Sequence, residues 1–386
     1  MTRKTSLQRW MVSAAVLVPG IYSLVVAQAV AQVPPSSIGA WSTVYDWPNK
    51  AIHTNLLPDG KILSWAQGAN GYLGTVTVAH IITIPAGDAP GTVVQVNNNS
   101  SNMFCSGHTF LPDGRLLVTG GQSVKQSTGQ SDVDVFDQAG GNLWQTYRFP
   151  MEYARWYATA LSLANGDVLF LAGNRTSGKD PNTLPQVWQG DGLLHDLSTA
   201  VRQVANYSKT FVAPNGTVFL AGPAKVSSFL DTSGSGAWLP GPTHKFVPRY
   251  DGTAVMYDDG KILVAAGGLR GQLPLSSAET IDLNSATPNW NIAAGMIYPR
   301  RHANATLLPD GKVLVTGGSN ASENNNAIGA ILPAEMWDPV TNTWTTMASL
   351  TIPRVYHSMA ILLADGRVLA GGGDRPTGSA FSSHRN

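Results

Sequence analysis

The sequence predicts an all-β fold, a seven-bladed β-propeller whose last blade is incomplete. Three observations carry that expectation. A strand–turn–strand unit recurs seven times, the turns of successive units lie about one blade apart, and 40 Gly with 24 Pro suit many short strands better than helices.

The units run from His53 to Trp65 (HTNLLPDGKILSW), His108 to Gly121 (HTFLPDGRLLVTGG), Tyr157 to Gly173 (YATALSLANGDVLFLAG) and Tyr207 to Gly222 (YSKTFVAPNGTVFLAG). Tyr250 to Gly268 (YDGTAVMYDDGKILVAAGG), His302 to Gly318 (HANATLLPDGKVLVTGG) and Tyr356 to Gly373 (YHSMAILLADGRVLAGGG) follow. Asp-Gly or Asn-Gly supplies the positive φ of a tight hairpin turn. The flanking runs are apolar and β-branched, as strands covered on both faces require. The turn glycines Gly60, Gly114, Gly166, Gly216, Gly260, Gly311 and Gly366 are 54, 52, 50, 44, 51 and 55 residues apart. Kelch-type propellers repeat at roughly 50 residues. Outer strands read from an apolar alternation, a turn and a Trp: DVFDQAGGNLW (134–144), AETIDLNSATPNW (278–290) and EMWDPVTNTW (335–344).

The segment 39–48 (GAWSTVYDWP) reads as an outermost strand that closes the last blade from the N-terminal side. Beyond Gly373 only DRPTGSAFSSHRN remains, without apolar alternation. The propeller is therefore expected over 38–373 with a disordered tail over 374–386, leaving the seventh blade with an open strand edge.

Residues 1–29 read as an export signal. Arg3, Lys4 and Arg9 precede an apolar run from Met11 to Val26, and Ala27-Gln28-Ala29 supplies a cleavage site. An uncleaved anchor is the competing reading, since the run approaches spanning length. Pro19-Gly20 and the cleavage site favour release, hence a secreted or periplasmic protein with no stable membrane anchor. With a net charge of +1 and 13% charged residues, nucleic acid is not an expected partner. The chain has one cysteine, Cys105, so an intramolecular disulfide is excluded.

Three stretches sit just before inner strands of blades two, three and seven: MFCSGHTF around Cys105, YARWYATAL around Tyr157, and PRVYHSMAIL around Tyr356-His357. A propeller gathers such positions around its axis, where distant residues converge. In this order and on these blades, the stretches resemble the active-site segments of the copper-radical oxidases, the glyoxal oxidase and galactose oxidase family. RWYAT (155–159) and RRHANATLLPDG (300–311) lean toward the glyoxal oxidase branch, and the likeness runs from about Trp41 to Gly373.

The resemblance implies copper and a Cys105–Tyr157 thioether, with Tyr157 both a copper ligand and the seat of a tyrosyl radical. It implies Tyr356 as second tyrosine ligand and proton acceptor, and His357 as imidazole ligand. Copper exchanges one electron while oxidising an alcohol or aldehyde hydrate removes two, so a redox-active side chain on the metal supplies the second. Phenolate and imidazole are donors that copper accepts. In that family a C-terminal domain adds a second histidine; the resemblance does not extend to that domain, and no residue here is assigned to the role. His108 and His302 open inner strands, and His384 lies in the tail.

Taken singly, each residue also has a scaffold explanation. Cys105 fits a small buried hydrophobe, His357 a kelch repeat position, and Trp156 either a shield over Tyr157 or simple packing. Arg155 and Arg354 fit loop anchors, and Tyr207 and Tyr250 receive no chemical role. The stacking tryptophan of galactose oxidase falls near Arg175, so no stack is expected from that position. Among catalytic signatures, P-loop, HExxH and nucleophile elbow are absent. The function expected is an exported oxidase of a small aldehyde, primary alcohol or sugar, reducing O2 to H2O2. The alternative is a non-catalytic kelch module that binds carbohydrate or an envelope protein.

Overall fold

The computed structural model describes residues 34–66, 76–85, 91–123, 128–148, 150–176, 179–190, 192–322 and 328–373. The expected export signal (1–29) and the tail (374–386) lie outside them. Six four-stranded antiparallel sheets, each with its strands in chain order from the axis outward, form six propeller blades. Their innermost strands are His53–Leu56, Gly107–Phe110, Thr159–Ser162, Lys209–Val212, Thr253–Asp258 and Asn304–Leu307.

The expected seventh blade is corrected: the structure has six blades, not seven. The seventh unit is a two-stranded hairpin, Ser358–Leu362 with Val368–Gly372. It still occupies a place in the ring. Asn304 Nδ2 donates to Ser358 Oγ at 3.0 Å on the blade-six side, and Ile361, Leu363 and Leu369 pack with Ile62 and Ile82 of blade one. The segment 39–48 lies beside this hairpin but forms no strand. It is anchored by indoles: Trp41 Nε1 donates to Ala348 O at 2.9 Å, and Trp47 packs into the same apolar cluster. The hairpin's second strand ends in Gly371 and Gly372, which bring no side chains to a ladder, so the alternation at 39–48 meets a poor partner edge.

The turns are as the sequence implies. All seven turn glycines have positive φ, between 67° and 91°. Outer tryptophans fasten blades to one another: Trp144, Trp238 and Trp344 donate to Val96 O, Ala200 O and Ala294 O at 2.8, 2.7 and 2.7 Å.

Near the axis the fastening is by arginine. Arg155, Arg249, Arg300 and Arg354 each stand just ahead of an inner strand and donate to a carbonyl at the end of the following strand: Ala172 O (2.7 Å), Ala266 O (3.1 Å), Gly317 O (2.9 Å) and Gly372 O (2.9 Å). Third strands supply further acceptors. Arg155 reaches Gln186 Oε1 at 3.1 Å, Arg249 reaches Glu279 Oε2 at 3.1 Å, and Arg300 reaches Glu335 Oε2 at 2.5 Å. The double glycines follow from this. Gly121 N, Gly267 N and Gly318 N donate to Arg155 O, Arg300 O and Arg354 O at 2.9, 2.8 and 2.6 Å, carrying the clamp across to the next unit. A Cβ on Gly120 or Gly317 would sit 2.2 or 2.5 Å from the Arg155 or Arg354 carbonyl, so only glycine lets the backbones approach.

Arg300 and Glu335 have fully buried side chains. Removing one partner leaves an uncompensated buried charge, which costs about 3–5 kcal/mol. Glu335→Ala is expected to lower unfolding free energy by that order in a denaturant titration; a change below about 1 kcal/mol contradicts the clamp.

Candidate active site at the hub

Counting back nine residues from each turn glycine reaches Ala51, Cys105, Tyr157, Tyr207, Asp251, His302 and His357. Every one has positive φ, between 47° and 67°. For residues other than glycine this left-handed geometry costs about 1 kcal/mol or more and persists only where surroundings enforce it. The enforcement is partly a backbone relay around the axis: Tyr157 N donates to Cys105 O (2.8 Å), Tyr207 N to Tyr157 O (3.3 Å) and His302 N to Asp251 O (2.8 Å). The arginine clamps set its height, since Tyr157, Asp251 and His302 each lie two residues after a clamp.

The seventh unit departs by one residue. Arg354 is followed by Val355, Tyr356 and then His357, where Arg155 is followed by Trp156 and then Tyr157. The extra residue puts two side chains at the hub instead of one. The Tyr356 and His357 rings stack at 3.9 Å, 26° between planes.

The four residues singled out in the sequence share one neighbourhood. Tyr157 Oη and Tyr356 Oη are 2.6 Å apart, although 199 positions separate them in the chain. Cys105 is buried, and its carbonyl accepts from Tyr157 N. Phe104 stands edge-on to His357 at 5.6 Å. Tyr157, Tyr356 and His357 border a cavity of about 810 Å³ together with Trp156, Tyr207, Asp251 and His302, while Cys105 lies behind its wall.

Burial, then the neighbouring Cys105, Tyr356 and Tyr207, push the Tyr157 phenol well above its ordinary range. Two phenols at 2.6 Å share a hydrogen bond when uncharged, and a cation beside them is what would let the Tyr157 phenol ionise. Two phenol oxygens beside one imidazole fit copper by donor type. No group of three or more His, Cys, Asp or Glu side chains is placed to hold a metal among the described residues. The donors gathered here are phenols and an imidazole.

Trp156, read from the sequence as either a shield over Tyr157 or packing, stacks on it at 4.0 Å and 18°, so a tryptophan covers this tyrosine although Arg175 stands where a stack was sought. Two other neighbours were missed. Tyr207, given no role, tilts against Tyr157 at 4.9 Å and donates to Ser106 O at 3.3 Å. Asp251 was passed over because its blade matches the repeat through Tyr250. Counting from the turn glycine finds both. His302 stands edge-on to Tyr356 at 5.1 Å. His108 lies instead with His53, whose Nε2 accepts from Cys105 N at 3.0 Å and whose Nδ1 is 3.3 Å from His108 Nε2. Burial lowers both imidazoles below the usual histidine range, His108 to about 4. Neutral, they brace the Cys105 peptide. His384 lies outside the described residues.

Comparison with known proteins finds several relatives. Residues 270–385 match a model of the glyoxal oxidase N-terminus. A galactose oxidase of Gibberella zeae is 27% identical over 371 residues, 88% of this chain and 53% of the relative. An aldehyde oxidase of Vitis pseudoreticulata is 28% identical over 319 residues, 74% of this chain and 60% of the relative. The chain thus spans a little over half the length of these relatives. A fungal alcohol oxidase solved in complex with copper superimposes with a TM-score of 0.79 at 25% identity, covering 90% of this chain and 75% of the other. In sequence and fold, this chain is a homologue of galactose oxidase and of the glyoxal-type aldehyde oxidases, and it shares its fold with a copper-bound fungal alcohol oxidase.

Proposed function

We propose that the protein is an exported oxidase of small aldehydes or primary alcohols that passes two electrons to O2 and yields H2O2. The observation that carries this reading is the 2.6 Å pairing of Tyr157 and Tyr356 with His357 stacked beside them. Tyr157, Tyr356 and His357 would hold copper, which on binding supplies one of the two electron-accepting equivalents.

The chain's own residues supply the rest. Tyr157 is the second one-electron site. A thioether from Cys105 sulfur to the Tyr157 ring, formed with loss of the thiol hydrogen and one ring hydrogen to O2, spreads the unpaired electron and eases its formation. Trp156, parallel to the Tyr157 ring, keeps water from that face; such a stack also contributes about 0.5–1.5 kcal/mol. Tyr356 accepts the substrate hydroxyl proton, since its oxygen already sits within hydrogen-bond reach of Tyr157 and opens on the cavity. Export rests on residues 1–29; no helix among the described residues is long and apolar enough to cross a membrane.

Protein matured with copper and O2 is expected to be lighter by two hydrogen atoms than its sequence mass, and Cys105→Ala to abolish that difference. An unchanged mass contradicts the thioether. Tyr157→Phe is expected to stop peroxide release while leaving the protein folded, and Tyr356→Phe to slow it by about 10²–10⁴-fold. A binding module without catalysis predicts no peroxide from any of these proteins, wild type included. Trp156→Ala is expected to shorten the lifetime of the tyrosyl radical, followed by its optical absorption, with Trp156→Phe intermediate; equal decay in all three removes the shielding role.

A further inference from the structure

The chemistry proposed above uses the hub positions of blades two and three and of the seventh unit. The opposite arc, Tyr207, Asp251 and His302, borders the same cavity together with Lys209 and Arg270. Its charges are unequally matched. Asp251 is engaged: Arg301 Nη1 donates to its Oδ2 at 3.3 Å and His302 Nε2 lies 4.0 Å away. Arg249 is engaged by Glu279 at 3.1 Å.

Lys209 is not engaged in this way. It opens the inner strand of blade four, two residues after hub position Tyr207, and is partly buried. Among the described residues its ammonium makes no hydrogen bond or ion pair, and Asp251 acts on it only through space. Burial lowers its pKa from the ordinary lysine value, so the site lacks a counter-ion rather than being stabilised by one. Arg270, at the exposed rim, lies over the Tyr250 ring at 4.9 Å and likewise has no carboxylate partner among the described residues. Asp251 is the one acidic residue among the described residues lining the cavity, and it is already matched. An ammonium held in a low-dielectric wall without an anion binds one strongly, since a charge-assisted contact to a carboxylate replaces lost hydration.

We propose that Lys209, with Arg270 at the entrance, makes this cavity select substrates that carry a carboxylate, small hydroxy or aldehyde acids, over neutral alcohols and sugars. The proposal rests on the oxidase reading for the word substrate, but the anion site itself does not. Lys209 acts here as a specificity residue in contact with the ligand and leaves proton and electron transfer to Tyr157 and Tyr356. For glycolate the reaction balances as primary alcohol plus O2 to aldehyde plus H2O2, with the carboxylate unchanged.

The test compares glycolate with ethylene glycol, near equals in size that differ in charge. Calorimetric or NMR titration of the purified full chain measures binding without turnover, and peroxide release gives kcat/KM for the same pair. Glycolate is expected to bind at least about tenfold more tightly, a difference that shrinks as salt is raised. Lys209→Met is expected to bring the two ligands within about threefold, and Lys209→Arg to keep the preference. Lys209→Gln replaces Lys209→Met if that variant does not fold, with the same expectation. A wild type indifferent to charge, or a folded Lys209→Met that still prefers glycolate, overturns the proposal. Preferential binding without peroxide from either compound overturns the oxidase reading and leaves the anion site standing; peroxide with equal kcat/KM and equal binding does the reverse.

Discussion

A buried arginine just ahead of an inner strand is the constraint on which the hub depends. Arg155, Arg249, Arg300 and Arg354 each donate to the carbonyl closing the next strand. The carbonyls of Arg155, Arg300 and Arg354 in turn accept from a glycine of the preceding unit. A guanidinium has five donors in a rigid plane, so it ties several backbone carbonyls at once and fixes both height and direction of the chain leaving it. The residues that follow have little freedom. They enter the left-handed region because the clamp behind and the strand ahead leave no other path, and their side chains turn toward the axis. Lengthening the link by one residue, as after Arg354, delivers two functional groups where the other units deliver one.

This scaffold explains how a chain with few charged residues gathers the side chains of its candidate site. Cys105, Tyr157, Tyr356 and His357 stand in three separate units, yet the ring makes them neighbours. Burial then does chemical work: it raises the Tyr157 phenol and keeps His53 and His108 neutral. A pair of uncharged phenols in contact is the donor set proposed above for copper, and His53, itself beside His108, braces the cysteine peptide without adding charge. The far arc has the opposite character, with a cation that no acidic side chain contacts.

Much of the fold could be read from the turn glycines alone, because a positive φ at a hairpin is a local demand that only a few residue types meet. The meeting of Cys105, Tyr157, Tyr356 and His357 also followed from register once blades were assumed. What escaped was of two kinds. The 39–48 segment has the alternation of a strand, but pairing depends on a partner edge, and the edge available ends in glycines. Tyr207 and Asp251 escaped because equivalence at the hub is one of position and not of residue type: alanine, cysteine, tyrosine, aspartate and histidine all occupy the same left-handed site. Similarity hides such a relation, and only a count from the turn glycine exposes it.

Copper titration of the purified protein followed by electron paramagnetic resonance tests the central claim most directly. The account predicts one Cu(II) per chain in a single environment, lost in His357→Ala and altered in both Tyr157→Phe and Tyr356→Phe. Copper that does not bind, or whose spectrum is indifferent to all three substitutions, contradicts it and leaves the hub as scaffold.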